Sequence, residues 1–317
     1  MPRKRLRILT WHLHGNYLYY LTQAPHEFYV LSRPGRPPGY AGRSGRLPWG
    51  DNVHDAPVER VKAMAFDCVL YQARAHYLAD RGELLSPAQQ RLPAIFLEHD
   101  PPQEHPTNTP HPAGDNGALL VHVTSFNALM WDSGAAPTRV IEHGVMLPEG
   151  VAYSGEHPRG IVVVNCLQRR GRRLGADVYD AARRRVPLDL VGMESGGVEG
   201  GLGEIPNLEL PQFMARYRFF FNPIRYTSLG LAVVEAMMAG MPVVGLATTE
   251  MATVVRNGVN GYVDTSIPAL EEAMKYLLAQ PGEAARWGRA ARRSATERFN
   301  IRRFVADWNE AFTAVTS

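Results

Sequence analysis

A single carboxylate, Glu235, interrupts an otherwise apolar run from Leu229 to Ala239. The run is rich in helix formers, follows the good N-cap residues Thr227 and Ser228, and is closed by Gly240 and Pro242. That pattern predicts a helix over 229–239 feeding a strand from Val243. A helix that is apolar all round is a buried one. A carboxylate buried there is costly unless it is paired or hydrogen-bonded. Two kinds of partner stay open: a protein group such as an arginine or a backbone N–H, or a ligand. Ser228 and Glu235 are seven residues apart, about two helical turns, which predicts a shared side of the helix. An anion at the helix start would meet free N–H groups and the positive end of the dipole. Gly230 would let a phosphate approach the main chain, and a ribose on that phosphate would reach Glu235.

Other residues carry weaker versions of the same chemistry. After the apolar run at 161–165 comes Asn165-Cys-Leu-Gln-Arg-Arg-Gly-Arg-Arg. A guanidinium fork from Arg169 or Arg170 suits phosphate oxygens, while the other arginines read as a solvated helix start. His99 lies in Ile95-Phe-Leu-Glu-His-Asp-Pro-Pro, just past a buried strand. Open α/β sheets place ligands at that edge, although a loop histidine with a local partner is the plainer alternative. His14, Gly15 and Asn16 follow the first strand and could line the opposite wall of a ligand site, although any first βα turn favours glycine and asparagine. His99, His105, His111 and His122, with Glu98, Asp100 and Glu104, match no zinc spacing, so no metal is expected. No Gly-x-Gly-x-x-Gly opens either half, which argues against a dehydrogenase. The glycine-rich stretch 196–203 lacks the ending of a phosphate-binding loop and reads as a flexible connection.

The segment Glu235-Ala-Met-Met-Ala-Gly-Met-Pro-Val-Val resembles the nucleotide-sugar site of the retaining GT-B glycosyltransferases, in particular glycosyltransferase family four. The similarity continues through Val254-Val-Arg-Asn-Gly-Val-Asn-Gly-Tyr-Val to the last helix, and upstream at Val123-Thr-Ser-Phe and Val140-Ile-Glu-His-Gly-Val. It covers the last 200 or so residues well and the first 115 loosely. The resemblance implies that Glu235 binds the ribose and that Thr227 to Gly230, Leu229 included, line the donor. It implies that His99 serves the transferred sugar and the acceptor. Two positions depart from the family pattern. Thr227 stands where its first glutamate would be, and Asn165 and Arg170 stand where its phosphate-binding arginine and lysine would be.

The implied activity is transfer of a sugar, with retention, from a nucleoside diphosphate sugar as co-substrate, with no cofactor and no metal. The acceptor would be a saccharide, a lipid-linked saccharide or a small molecule. Two rivals remain at this level: a nucleotide-sugar epimerase of the same architecture, and a non-catalytic nucleotide-sugar-binding protein.

The elements around these residues alternate short apolar runs with helix-period segments, the pattern of parallel sheets built from βαβ units. Strands are expected at 6–11, 27–32, 66–71, 94–98, 119–123 and 139–142, then at 161–165, 188–191, 219–222 and 243–246, with a short one at 262–263. Two such series predict two facing Rossmann-like doubly wound domains, an α/β chain of GT-B type. Residues 1–150 form the acceptor side, 151–300 the donor side, and 301–317 a C-terminal helix returning to the first domain. A single barrel of eight βα units fits this spacing poorly. The boundary falls in the Pro- and Gly-rich stretch 148–159, and 33–57 reads as a long irregular loop.

Composition agrees with a soluble, cytoplasmic protein, at most peripheral to a membrane. Apolar residues make up 45% and charged ones 21%, too apolar for disorder. A net charge of +3, spread along the chain, does not describe a nucleic-acid binder. No apolar run approaches the ~20 residues of a membrane helix, and the polar residues after Arg7 exclude a signal peptide. Cys68 and Cys166 each lie in an apolar run and read as reduced core thiols.

Overall fold

The computed structural model describes residues 4–13, 15–114 and 117–317. It divides into two compact units, one running to Gly144 and including Ile301–Ser317, the other spanning Val145–Asn300. Each is built around its own all-parallel sheet, which excludes a single closed barrel.

In the first unit the strands are β1 (Arg7–Thr10), β2 (Glu27–Ser32), β3 (Val53–Pro57), β4 (Cys68–Tyr71), β5 (Ala94–Glu98), β6 (Leu119–His122) and β7 (Thr138–Val140), in the order β3-β2-β1-β4-β5-β6-β7. Central strands are buried on both faces, as parallel sheets require: all four residues of β4 are buried. Helices α1 (Gly15–Leu21), α2 (Arg81–Leu84) and α3 (Ser125–Met130) belong to this unit. Strand β3 lies inside the stretch expected to be an irregular loop. Its sequence, Val-His-Asp-Ala-Pro, hides the pattern because it is an edge strand, where polar residues and proline are tolerated. His54 on β3 pairs with Glu27 on the neighbouring strand, Nε2 to Oε2 at 2.8 Å.

In the second unit β8 (His157–Val163), β9 (Leu188–Val191), β10 (Tyr217–Asn222), β11 (Val243–Leu246) and β12 (Gly261–Asp264) follow the order β12-β11-β10-β8-β9. Around them pack α4 (Leu167–Arg170), α5 (Ala176–Ala182), α6 (Leu210–Met214), α7 (Leu231–Ala239), α8 (Met251–Val254), α9 (Ile267–Ala279) and α10 (Pro281–Arg298). β8 begins four residues earlier than its apolar run suggests, because Arg159 pairs with Asp189 on β9 at 2.6 Å. The stretch 196–203 is not a loose loop. Leu190 exchanges backbone hydrogen bonds with Gly200 and Leu202, so the segment covers the outer edge of β9.

The chain leaves the first unit at Gly144–Val145, ahead of the Pro- and Gly-rich stretch, and returns at Ile301. The last helix, α11 (Ile301–Thr316), belongs to the first unit. Phe304, Trp308, Ala311 and Phe312 are all buried at helical spacing, and Trp308 Nε1 donates to the Tyr17 hydroxyl at 3.3 Å. Arg303 on this helix donates to the carbonyls of Glu142 and His143. Among the described residues no helix is long and apolar enough to cross a membrane. Cys68 and Cys166 are both buried and unbridged.

Candidate functional site

The order of the second sheet reverses between β8 and β10, and open α/β sheets bind ligands in the crevice at such a switch point. The loops leaving those two strands carry the residues singled out in sequence. After β8, Asn165 is exposed and its Oδ1 accepts from the Met193 N–H at 2.9 Å. Cys166 is held at φ 54°, an uncommon conformation for a residue with a side chain. Glu194 after β9 and Thr249 after β11 share that left-handed conformation, at φ 62° and 51°. Three strained residues thus gather on the C-terminal edge of one sheet, where such strain commonly marks function. Arg169 makes a two-pronged pair with Glu194, at 3.1 Å on the surface, and Arg170 ends α4.

The loop after β10 is tied to the loop after β8. The N–H groups of Arg225 and Tyr226 both donate to the Arg173 carbonyl, and the Arg225 guanidinium pairs with Asp177 at 2.8 Å. Gly175 sits at φ 81° directly under this loop, where a β-carbon would overlap the Pro223 carbonyl. Helix α7 begins later than its sequence suggests. Its N-cap is Gly230, with no side-chain cap, so Thr227 and Ser228 are half-buried loop residues and not caps. Ser228 and Glu235 therefore do not share a helix face. Extended backbone through Gly230 (ψ 137°) prevents the helix from reaching back to Ser228. Leu229 is buried at 2% exposure. Gly230 has an ordinary φ of −68°, and a β-carbon there would meet nothing within 4 Å. Neither backbone strain nor packing demands glycine at this point. Glu235 lies one turn inside α7, 2% exposed. Gly240, at φ 94°, ends the helix and turns the chain into β11.

In the first unit the reversal falls between β1 and β4. Gln72, just past β4 and 3% exposed, donates through its amide to Thr10 Oγ1 at 2.9 Å and to the Trp11 carbonyl at 2.7 Å. Its Oε1 meets His99 Nε2 at 3.1 Å. The Tyr17 ring stands edge-on to His99, with centroids 4.9 Å apart. Burial drives the Tyr17 hydroxyl far above its usual pKa, so it remains a neutral phenol. The turn carrying His99 is pinned by Glu98, whose Oε1 accepts from the Asp100 N–H at 3.0 Å and whose Oε2 meets His111 Nε2 at 3.3 Å. Burial raises the Glu98 carboxyl above the normal carboxylate range, against the lowering effect of His111. Gly15 and Asn16 open α1. His14 lies outside the described residues. Sequence reasoning missed Gln72, whose one available signal was a polar residue directly after the buried strand Cys68–Tyr71. Among the described residues no group of three or more histidine, cysteine or carboxylate side chains is placed to hold a metal.

Two doubly wound units, each with an all-parallel sheet and its own switch point, define the GT-B architecture. The fold matches that of HepE from Anabaena, solved with UDP-glucose, with a TM-score of 0.72 at 17% identity over 98% of this chain and 100% of that one. It also matches sucrose-phosphate synthase from Thermosynechococcus elongatus, with a TM-score of 0.71 at 15% identity over 98% and 99% of the two chains. Residues 201–294 match the family model of the glycosyl transferases group 1, so the resemblance drawn from the sequence is upheld. A relative from Mycolicibacterium smegmatis, a GDP-mannose-dependent alpha-(1-6)-phosphatidylinositol monomannoside mannosyltransferase, is 27% identical over 237 residues. That match spans 60% of each chain.

Proposed function

We propose that this chain transfers a glycosyl group from a nucleoside diphosphate sugar to a saccharide or lipid-linked acceptor, retaining anomeric configuration and using no metal. The observation that carries the reading is Glu235, a carboxylate 2% exposed on α7, behind a sheet switch point and within the matched residues 201–294. In this reading Glu235 takes the ribose hydroxyls. The diphosphate rests on the first N–H groups of α7 at Gly230, helped by Arg170 and Arg169. Thr227, Ser228 and Leu229 line the sugar side, and Asn165 borders the phosphates.

The chemical demand is a leaving group that departs with growing negative charge. Main-chain N–H groups at a helix start are already oriented toward such charge and stabilise it as it develops. The departing phosphate receives the acceptor's proton, and His99, with Gly15 and Asn16 at the start of the helix that carries Tyr17, serves the transferred sugar and the acceptor. The open space at Gly230 supports close approach of a phosphate to the main chain. In this reading the enzyme works in the cytoplasm or at the inner face of a membrane.

Calorimetric titration with GDP, UDP, GDP-mannose and UDP-glucose tests the site. One of these is expected to bind the native chain, and Glu235→Ala is expected to lose it while keeping its circular dichroism spectrum. A titration curve unchanged in that variant removes Glu235 from the site. Incubating the bound donor with a panel of acceptors then separates a transferase from a binder, since a binder gives heat without transfer.

A further inference from the structure

At the C-terminal edge of the first sheet, a run of hydrogen bonds has its direction fixed at each step. Thr10 has one hydroxyl hydrogen, which goes to the Leu70 carbonyl at 3.0 Å. Its oxygen is then an acceptor for the Gln72 amide at 2.9 Å. The same amide nitrogen lies 2.7 Å from the Trp11 carbonyl, which can only accept. Both neighbours therefore require the NH2 at this end of Gln72, and the carbonyl is at the other. That carbonyl faces His99 Nε2 at 3.1 Å and cannot donate, so Nε2 must carry a hydrogen. In a neutral imidazole the lone pair then resides on Nδ1. Thr10 and Gln72 are 0% and 3% exposed, so solvent does not substitute for these bonds.

We infer that Gln72 is a positioning residue that fixes His99 in the tautomer with its hydrogen on Nε2 and its lone pair on Nδ1. Tyr17, edge-on to the ring, restricts its rotation. The inference rests on the role proposed for His99, but its structural half stands without it. A histidine whose second nitrogen is bound to a fixed acceptor has its tautomer and orientation set by that partner.

The test is nitrogen NMR of the full chain labelled at histidine, with His99→Asn used to assign the signal. The native protein is expected to show one neutral tautomer, with the Nε2 hydrogen protected from solvent exchange. Gln72→Met keeps the side-chain length but offers no carbonyl, and is expected to share the proton between both nitrogens and to speed its exchange. Gln72→Glu offers a carboxylate to the same nitrogen. It is expected to raise the His99 pKa by about one unit or more, moving the acidic limb of the pH–rate profile upward with it. In Gln72→Met, kcat is expected to fall about tenfold, with KM for the donor unchanged. A native signal with the hydrogen on Nδ1, or a Gln72→Met signal like the native one, overturns the inference. A shifted tautomer with unchanged kcat removes its catalytic meaning. If the tautomer behaves as expected and no variant, native included, transfers sugar, the proposed function fails while the positioning by Gln72 stands.

Discussion

In the first unit the strand order reverses between β1 and β4, in the second between β8 and β10, and both crevices open at C-terminal strand ends. They are furnished in opposite ways. The first is wired through buried side chains, with Thr10, Gln72, His99 and Tyr17 joined in one contact series. The second offers mostly backbone: three residues at positive φ, a helix start without a side-chain cap, and a glycine facing open space. A crevice of wired side chains aims one functional group. In the proposed reading the second crevice receives an anion, because main-chain N–H groups cost no side-chain entropy to orient. On that proposal, one topology serves two chemical tasks.

The contrast is broken most directly at His99. His99→Ala is expected to lower kcat by about 10²-fold, the size of loss that follows when the reacting sugar is no longer held in place, with donor affinity intact. Stopped assays at saturating donor check this, and equal losses in kcat and donor binding would erase the division of labour. Next comes Gly175, where a side chain must adopt φ 81° against the Pro223 carbonyl. Gly175→Ala is expected to cost about 3 kcal/mol in stability, read from its urea midpoint, because it pushes apart the two loops of the second crevice. Glu235→Ala is expected to weaken nucleotide binding by about 1.5–3 kcal/mol, the worth of hydrogen bonds to a charged group.

Acid should distinguish the units. Burial lowers the pKa of His76 and His122 to about 4 from a usual 6.5, and lowers that of His26 as well, all in the first unit. The unfolded chain binds more protons than the native one between these values. The stability that the neutral His76 and His122 rings supply is therefore present above pH 6.5 and is lost as pH falls toward 4, by about 3 kcal/mol at most for each of these two. Hydrogen exchange across that range should show the first sheet opening before the second, and the reverse order would contradict it. The smallest effect is at Gly230. Gly230→Ala is expected to change stability by only ~0.5 kcal/mol, yet weaken nucleotide binding about tenfold by standing where a phosphate approaches the main chain.

Much of this arrangement was legible in the residues. Continuous apolar runs located the central strands, since a strand buried on both faces has no polar alternation to confuse the reading. Glu235 announced itself by being charged in an apolar helix, and His99 by following a buried strand. Edge strand β3 was not legible, because solvent on its outer side permits His54, Asp55 and Pro57. The start of α7 was misread because Thr227 and Ser228 have the chemistry of caps, but Gly230 occupies that position in the fold. Gln72 carried almost no signal of its own.

The division follows from the range of the forces involved. Periodicity, helix propensity and turn chemistry act between near neighbours, so the chain itself determined its element types, the α/β class and the second-half resemblance to group 1 glycosyltransferases. Which loops meet at a switch point depends on the order in which strands pair, through contacts between residues far apart in the chain. Only the tertiary structure decided that Thr10, Gln72 and His99 share one set of hydrogen bonds, and that the loops after β8 and β10 are tied through Arg173 and Arg225.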